Sequence, residues 1–204
     1  MEYVRAVEAI IPGVQGRVLG ALARTHGELS MRQVATVAGV SPTQAGEVLG
    51  RLVALGVVTR RDVGRSALVT LDRSNAAGQL VDRLASLHLD VVQQLRVAAR
   101  EIRPVPEALI LFGSFARGEA DAGSDVDVLA VRPDGVAADD EAWVSSLGRW
   151  ADTASAVAGN PLHLLDVSRS EVAPGPALDT RLWKGIVTDG IALVGPAPEA
   201  LRAP

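Results

Sequence analysis

The stretch that decides the fold spans residues 109–131 and reads LILFGSFARGEADAGSDVDVLAV. An apolar run at 109–112 leads into Gly113 and Ser114, a small polar segment follows, and a second apolar run occupies 128–131. Two short runs of strand-forming residues around a turn-rich segment are typical of neighbouring strands in one sheet. We therefore predict two adjacent strands with a polar loop between them.

Two aspartates open the second apolar run. Asp125 and Asp127 are separated by one residue, so in an extended strand both side chains project to the same side. Carboxylates held together repel one another unless something neutralises them. A divalent cation is the usual partner, and oxygen-rich sites suit Mg²⁺, which also accepts phosphate ligands. The pair predicts a metal site that can face a phosphorylated ligand.

The spacing of small, basic and acidic residues along this stretch resembles the signature of the DNA polymerase beta-type nucleotidyltransferase superfamily. The residues that carry the resemblance are Gly113, Ser114, Arg117, Gly118, Ser124, Asp125 and Asp127. Within the superfamily, the stretch is most similar to the minimal nucleotidyltransferases, small proteins often found in bacterial toxin–antitoxin pairs. A lone Asp-x-Asp pair is common on loops, but its combination with the Gly-Ser and Arg-Gly steps is much more specific.

The resemblance implies an enzyme that moves a nucleoside monophosphate from an NTP to an acceptor hydroxyl on a protein, an RNA end or a small molecule. Gly113 and Ser114 would hold the triphosphate through backbone N–H groups and the serine hydroxyl. Asp125 and Asp127 would bind Mg²⁺ or Mn²⁺. Such a transfer depends on positioning and charge neutralisation more than on covalent participation of the protein.

Two further residues of the stretch are nucleotide-binding candidates. By the resemblance, Arg117 would face the triphosphate or stabilise the loop that carries it, and the alternative is a surface arginine that pairs with Glu119 or Asp121. Ser124 directly precedes the carboxylates, where a serine also favours a turn. Both residues join the Gly-Ser turn in the predicted nucleotide site.

The third strand of the predicted domain departs from the family pattern. The family has a third carboxylate there, and alignment of the apolar positions puts His163 at that point of the run 162–167. Asp166 lies three residues further on and faces the other side of the strand by period-two counting. Three interpretations follow: His163 replaces the aspartate as base or metal ligand, Asp166 supplies the carboxylate, or the site binds nucleotide with little or no turnover. A strand histidine without a role is the simplest alternative.

The remaining elements of this half alternate between helix and strand. They are a helix at 140–157, a strand at 162–167, a helix at 178–188 and a strand at 190–195. Trp143 and Trp150 lie at helical spacing, which favours a place in the core over a base-stacking surface. The resemblance covers roughly residues 105–195 and implies an α/β domain with a mixed sheet.

The first third of the chain predicts helices followed by a hairpin. The elements are a helix at 14–23, a helix at 31–37 after Ser30, a helix at 42–55 after Ser41, and strands at 57–61 and 66–71. Serine before a helix, proline at its first position and glycine after it are the usual boundary signals. This order is that of a winged helix-turn-helix, and residues 14–72 resemble bacterial regulators of the MarR and ArsR kind.

In such a domain the helix after Ser41 would enter the major groove of double-stranded DNA, and the hairpin would form a wing against the phosphate backbone. The DNA-binding candidates are Ser41, Thr43, Gln44 and Arg51 of the helix and Arg60, Arg61 and Arg65 of the wing. The helix is poor in positive charge, and Glu47 opposes the phosphates. The alternative is a winged helix that serves dimerisation or partner docking.

A single amphipathic helix is predicted between the two halves. Residues 76–103 carry apolar residues at three- and four-residue spacing, and prolines end the run. The helix is either a connector that packs on the domains or the seam of a homodimer. The chain is thus predicted to be α+β, with a winged-helix domain at 1–75, a linker helix at 76–104 and a nucleotidyltransferase domain at 105–204.

Composition excludes several classes of protein and site. The 204 residues include no cysteine, which rules out disulfide frameworks and cysteine metal sites. The chain has no apolar run of membrane-spanning length and no signal pattern, which predicts a cytoplasmic protein without membrane contact. The net charge of −4 argues against nucleic-acid binding over the whole surface but allows a local basic patch.

Two functions are consistent with the sequence. In the first, a nucleotidyltransferase is joined to a DNA-binding domain, and a toxin-like partner protein is one acceptor that the resemblance implies. In the second, a transcriptional regulator uses a nucleotidyltransferase-like domain to bind nucleotide or a partner without turnover. An autoregulating antitoxin would combine both.

Overall fold

Two separate sheets organise the structure, a computed structural model that describes residues 1–64, 66–172 and 181–202. Residue contacts group Glu2–Leu87 into one compact unit and His88–Pro204, together with Met1, into another. In the described ranges, the helices are all too short or too polar to cross a membrane.

Helices alternate with short strands in the N-terminal unit. In chain order the elements are α1 (Ala6–Ile10), α2 (Gly13–Ala23), β1 (Leu29–Ser30), α3 (Met31–Ala38), α4 (Pro42–Ala54), β2 (Val58–Val63), β3 (Ser66–Leu71) and α5 (Ala76–Ala85). Strand β3 pairs antiparallel with both β1 and β2, which produces the hairpin of a winged helix-turn-helix. The sequence did not predict α1 and β1, because elements this short show no measurable periodicity.

Side-chain caps define the start of α3 and α4. Ser30 Oγ accepts from the backbone N–H of Gln33, and Ser41 Oγ accepts from that of Gln44. Each glutamine side-chain oxygen accepts in turn from the N–H of its serine. Such capping boxes satisfy amides that a helix start leaves unpaired. Gly39 ends α3 in the left-handed conformation, so the serine and glycine signals predicted both helices to within one residue.

The segment predicted as one linker helix is in fact interrupted. Helix α6 (Leu87–Ala98) begins after Ser86, and a 3₁₀ helix follows at Ala99–Glu101. Ser86 has φ −108° and ψ 21°, and its Oγ donates to the Asp82 carbonyl at 3.1 Å. A hydroxyl that bonds a carbonyl of the preceding turn competes with the backbone ladder, which gives a physical reason for the break. Helix α5 consequently belongs to the N-terminal unit, and nearly all of α6 belongs to the C-terminal unit.

One mixed sheet forms the centre of the C-terminal unit. Its further elements are β4 (Ala108–Phe112), α7 (Gly113–Ala116), β5 (Val126–Arg132), α8 (Glu141–Ala158), β6 (Leu162–Ser168), α9 (Arg169–Val172), α10 (Arg181–Asp189), β7 (Ile191–Val194) and a 3₁₀ helix Pro198–Arg202. The strand order is β6-β5-β4-β7, with β5 and β6 parallel and the other pairs antiparallel. The predicted mixed sheet is confirmed. Residues 178–180, the predicted start of the last helix, lie outside the described residues.

Strand β5 is buried along almost all of its length. Leu129 and Val131 belong to a core cluster that also contains Trp183 of α10. Trp143 and Trp150 of α8 are 0% and 4% exposed, as predicted for core residues. Apolar burial on both faces stabilises the strand and leaves only its second residue, Asp127, partly exposed. The sheet therefore opens to solvent where the aspartate pair lies.

Candidate functional site

The end of β4 and the start of β5 lie side by side. The antiparallel register pairs Phe112 with Asp127, so Gly113 directly follows the residue opposite Asp127. Gly113 has φ 76°, and a Cβ atom there would lie 2.6 Å from Asp127 Oδ2. Only a residue without a side chain fits both the close approach and the left-handed backbone. The register thus brings the Gly-Ser turn and the second aspartate together.

The first aspartate lies immediately before β5. Asp125 is exposed, whereas the Asp127 side chain is 30% exposed. Val126 between them is fully buried, and its N–H donates to the Pro161 carbonyl at 2.8 Å. Alternation along extended backbone puts the two carboxylates on one side, with their backbone anchored to the start of β6.

His163 lies beside Asp127 on the neighbouring strand. The parallel register pairs these two residues, and His163 Nδ1 is 3.4 Å from Asp127 Oδ1. The imidazole is 73% exposed. His163, the residue predicted at the third carboxylate position, is therefore next to Asp127 and open to solvent.

Asp166, the other candidate for the third acidic group, is directed elsewhere. It pairs in register with Ala130, three residues after Asp127, and so lies on the opposite face of the sheet. Its Oδ2 accepts from Trp143 Nε1 at 3.2 Å, and its Oδ1 is 2.8 Å from Arg132 Nη1. The structure does not bring Asp166 to the carboxylate pair, because the strand contains no bulge that would reverse its direction.

Two carboxylates hold Arg117. Its Nε donates to Glu119 Oε2 at 2.7 Å, and its Nη1 donates to Asp189 Oδ2 at 3.0 Å. These bonds, first the one with Glu119, raise the pKa of Arg117 above the ordinary arginine value. Glu119 is a partner that the sequence offered. Asp189 lies far along the chain, and local sequence contains no signal for it.

The loop before Asp125 is a closed turn. Ser124 Oγ donates to Asp121 Oδ1 at 2.9 Å, and Gly123 N donates to the same oxygen at 2.9 Å. The Ser124 hydroxyl is the largest cause that lowers the pKa of Asp121, followed by the Gly123 amide. Ser124 is thus a turn residue whose hydroxyl is already engaged within the loop.

A residue that the sequence did not single out holds this loop in position. Asn160 is 3% exposed, and its Nδ2 donates to the carbonyls of Asp121 at 2.9 Å and Ser124 at 2.7 Å. The sequence placed Asn160 only in a turn between Gly159 and Pro161. Because a buried amide must be satisfied, these bonds tie the loop that delivers Asp125 to the start of β6.

The donor atoms at this end of the sheet suit a divalent cation. Asp127 could supply a carboxylate oxygen and His163 an imidazole nitrogen, both carried on paired strands, and Asp125, two residues before Asp127, is exposed. Among the described residues, no three acidic or imidazole groups are already gathered around one point. A cation here would take two donors from paired strands and complete its ligands with a third side chain, water or phosphate oxygens.

The solvent-facing side of α4 carries few charged groups. Thr43, Gln44 and Arg51 are exposed, and so is Glu47. Gln44 Oε1 accepts from Ser41 Oγ at 3.1 Å and from its N–H, so the oxygens of both side chains take part in the cap. The structure therefore presents the predicted helix residues outward but assigns Ser41 and Gln44 a structural task as well.

Carboxylates engage both wing arginines that the structure describes. Arg60 Nη2 is 2.9 Å from Asp62 Oδ1, while Arg61 forms two bonds with Glu28, one of them from Nε to Oε1 at 2.9 Å. The hydrogen bond with Arg61 is the main cause that lowers the pKa of Glu28. Arg65 lies outside the described residues. Exposed ion pairs are weak, so a phosphate group can replace either carboxylate.

Comparisons with known proteins match two separate segments of the chain, one in each compact unit. Residues 11–67 match the family model described as MarR family, and residues 92–152 match the one described as nucleotidyltransferase domain. A search of curated proteins gives no match.

Several solved structures are similar to part of the chain. A toxin–antitoxin with AMP-PNP is 20% identical over 54% of this chain and 79% of that chain, with a TM-score of 0.37. A mutant of the toxin–antitoxin MntA-HpeT is 18% identical over the same shares, with a TM-score of 0.38. Sso10a-2, a DNA-binding protein from Sulfolobus solfataricus, is 15% identical over 44% of this chain and 92% of that chain, with a TM-score of 0.31. At TM-scores this low, these likenesses carry no argument.

The two family matches fall into different units of the structure. The first lies within Glu2–Leu87, and the second lies within His88–Pro204 and includes both Asp125 and Asp127. His163 follows the matched residues. The chain therefore joins a segment that matches the MarR family model to one that matches the nucleotidyltransferase model.

Proposed function

We propose that the protein transfers a nucleoside monophosphate from an NTP to an acceptor hydroxyl in a metal-dependent reaction, and that its winged helix-turn-helix binds double-stranded DNA. One observation carries the proposal of transfer. Gly113, Asp127 and His163 meet at one end of β4, β5 and β6, beside the exposed Asp125. That end combines a Gly-Ser turn, a carboxylate pair and access from solvent.

The charge of the C-terminal unit explains why a cation is needed. Residues 88–204 contain seventeen aspartates and glutamates against nine arginines and one lysine. An NTP is itself an anion, and Asp125 and Asp127 add negative charge where it would bind. We assign Asp125 and Asp127 as ligands of Mg²⁺ or Mn²⁺, with His163 beside them. Such a cation, when bound, neutralises phosphate charge and orients the nucleotide.

The proposed reaction is an exchange of two bonds at phosphorus. The acceptor oxygen forms a bond to the α-phosphorus of the NTP, and the bond from that phosphorus to the pyrophosphate oxygen breaks. The hydroxyl proton passes to a base of the site, for which the second carboxylate oxygen of Asp127 is the candidate. Gly113 lets the Asp127 carboxylate approach the turn closely, and the Ser114 N–H and hydroxyl are the donors that the turn offers to a phosphate.

We propose that Arg117 binds a phosphate of the NTP in place of one of its carboxylate partners. Its guanidinium is 39% exposed, so a phosphate can approach it and displace Glu119 or Asp189. Arginine binds phosphate and carboxylate through the same pair of N–H donors. Ser124 contributes by closing the turn before Asp125. We assign Asp166 to the packing of α8, because its carboxylate is engaged there.

Transfer of a labelled nucleotide tests the proposal. The protein is incubated with Mg²⁺ or Mn²⁺, each of the four α-labelled NTPs, and a cell lysate as acceptor source. Wild type should transfer label, Asp125→Ala/Asp127→Ala should not, and the size of the labelled product identifies the acceptor class. Asp134→Ala/Asp139→Ala removes two exposed carboxylates elsewhere in the unit and should leave transfer intact. Retained transfer in the Asp125→Ala/Asp127→Ala protein contradicts the proposal.

A second candidate function is regulation without turnover. His163 in the position of the third carboxylate favours it, because the site then has one acidic group fewer than the family pattern. Such a protein would bind NTP through Asp125 and Asp127 and would transfer label to nothing in the lysate. In either function, a toxin-like protein is the partner that the family resemblance implies, as acceptor or as docking partner.

A further inference from the structure

We propose that His163 binds the cation directly and makes the site selective for Mn²⁺, or a similar transition-metal ion, over Mg²⁺. The inference rests on the proposed function, since it concerns the cation that this reaction would use. The proposed metal site differs from a purely acidic site because one of its donors is a nitrogen atom.

The distance between the two donor atoms supports shared coordination. His163 Nδ1 and Asp127 Oδ1 are 3.4 Å apart, which is long for a hydrogen bond, usually about 2.7–3.2 Å. Donors that lie about 2.0–2.2 Å from one cation are about 2.8–3.1 Å apart at a right angle and about 3.3–3.6 Å apart at the tetrahedral angle. The observed separation therefore fits the edge of a coordination shell better than a direct contact.

The backbone fixes both donors in advance. Asp127 and His163 are partners in the parallel register of β5 and β6, and β6 is an edge strand of the sheet. The imidazole is 73% exposed, so a hydrated ion can reach Nδ1 without rearrangement of the strands. Donors carried on paired strands are held more precisely than donors on loops, which reduces the cost of ordering them.

The chemistry of the donor set decides the preferred ion. Mg²⁺ binds oxygen ligands in nearly ideal octahedral geometry and accepts nitrogen poorly. Imidazole suits transition-metal ions, and Mn²⁺, which shares much of the oxygen preference of Mg²⁺, begins the first-row series along which affinity for mixed nitrogen and oxygen sites rises. Replacement of a carboxylate oxygen by His163 Nδ1 should therefore weaken Mg²⁺ binding more than Mn²⁺ binding.

Pulsed electron paramagnetic resonance of bound Mn²⁺ tests the direct bond. Full-length protein loaded with Mn²⁺ should show the spin coupling of a coordinated imidazole nitrogen. His163→Asp should abolish this coupling while it keeps a donor at the same point of the strand. The chain has three histidines, so His26→Asn, which changes an exposed histidine of the N-terminal unit, is the matched control and should keep the coupling.

Calorimetric titration with MnCl₂ and MgCl₂ tests the selectivity. Wild type and His26→Asn should bind Mn²⁺ about ten-fold or more tightly than Mg²⁺, and His163→Asp should reduce that ratio by a similar factor. An unchanged ratio in His163→Asp, or no nitrogen coupling in wild type, overturns the inference.

The outcomes separate this inference from the proposed function. Nitrogen coupling without label transfer supports the metal ligand and contradicts nucleotidyl transfer. Label transfer supported equally by Mg²⁺ and Mn²⁺, without nitrogen coupling, contradicts the metal ligand and leaves nucleotidyl transfer standing.

Discussion

The two units differ in charge and in the way they hold arginine. Residues 2–87 contain ten arginines against seven carboxylates, whereas residues 88–204 contain ten basic residues against seventeen carboxylates. In the N-terminal unit, Arg60 and Arg61 form exposed pairs on the wing. In the C-terminal unit, Arg132 is 9% exposed and lies between the carboxylates of Asp166 and Glu171. Exposed pairs exchange partners easily, while loss of one partner from a buried pair leaves an uncompensated charge.

This difference indicates which ligand each unit can attract unaided. In the proposed function, the excess of arginine lets the N-terminal unit approach DNA phosphates directly. An excess of carboxylate means that the C-terminal unit needs a cation before it can hold a phosphorylated substrate. The net charge of the whole chain conceals the contrast, because the two contributions partly cancel.

The largest effect is expected from Gly113→Ala, which should disable the C-terminal unit alone. The added methyl group would meet Asp127 Oδ2 at 2.6 Å. Displacement of a reacting group by about 1 Å can cost about 100-fold in rate, so label transfer should fall at least that far. Gly135→Ala is the control, since Gly135 has a similar φ of 82° but no atom within 4 Å of the added Cβ. If both variants lose label transfer equally, backbone strain at a positive φ is the cause, and the contact with Asp127 is not.

A pair of asparagines tests whether the units respond separately. Asn160→Ala removes two bonds to the loop before Asp125, and each buried group left unpaired costs about 1–3 kcal/mol. Hydrogen exchange should quicken at residues 119–126, and transfer should fall. Asn75→Ala removes the cap of α5, worth about 1 kcal/mol, and should affect exchange only in the N-terminal unit. If either substitution makes hydrogen exchange faster in both units, the two units do not respond separately.

Removal of wing charge should weaken DNA binding and spare transfer. Arg60→Ala/Arg61→Ala should lower affinity for a duplex about ten-fold and reduce the salt slope by about two, as expected for two lost phosphate contacts. Fluorescence anisotropy over a range of salt concentrations measures both quantities. Arg181→Ala/Lys184→Ala removes the same charge from the C-terminal unit. If that variant weakens DNA binding equally, net charge rather than the wing is responsible.

The smallest effect is expected from release of a wing arginine. Glu28→Gln removes the carboxylate that holds Arg61 and so leaves the guanidinium free to bind phosphate. Affinity for DNA should rise a few-fold, most clearly at low salt where charge is least screened. Glu2→Gln changes the unit's charge equally and serves as the control. Weaker binding after Glu28→Gln would mean that the carboxylate positions Arg61 for DNA.

Local patterns in the sequence were sufficient for most elements and for the common side of the two candidate aspartates. Ser30, Ser41 and Gly39 mark helix boundaries through bonds between near neighbours, so a short window contains the whole signal. Asp125 and Asp127 share a side of the chain because strand geometry alternates. The same alternation predicted that Asp166 and His163 face opposite sides of their strand, and the β5–β6 register agrees.

Only the tertiary structure decided which groups meet across the chain. The β5–β6 register sets His163 beside Asp127, and the fold supplies Asp189 to Arg117 and Asn160 to the loop before Asp125. The break at Ser86 also escaped prediction, because its neighbours continue the helical apolar pattern. The physical reason is common to these cases: propensity and periodicity report the local backbone, whereas a contact between distant residues depends on how the elements pack. The sequence by itself determined the chemistry available to this protein, and packing decided which of those groups act together.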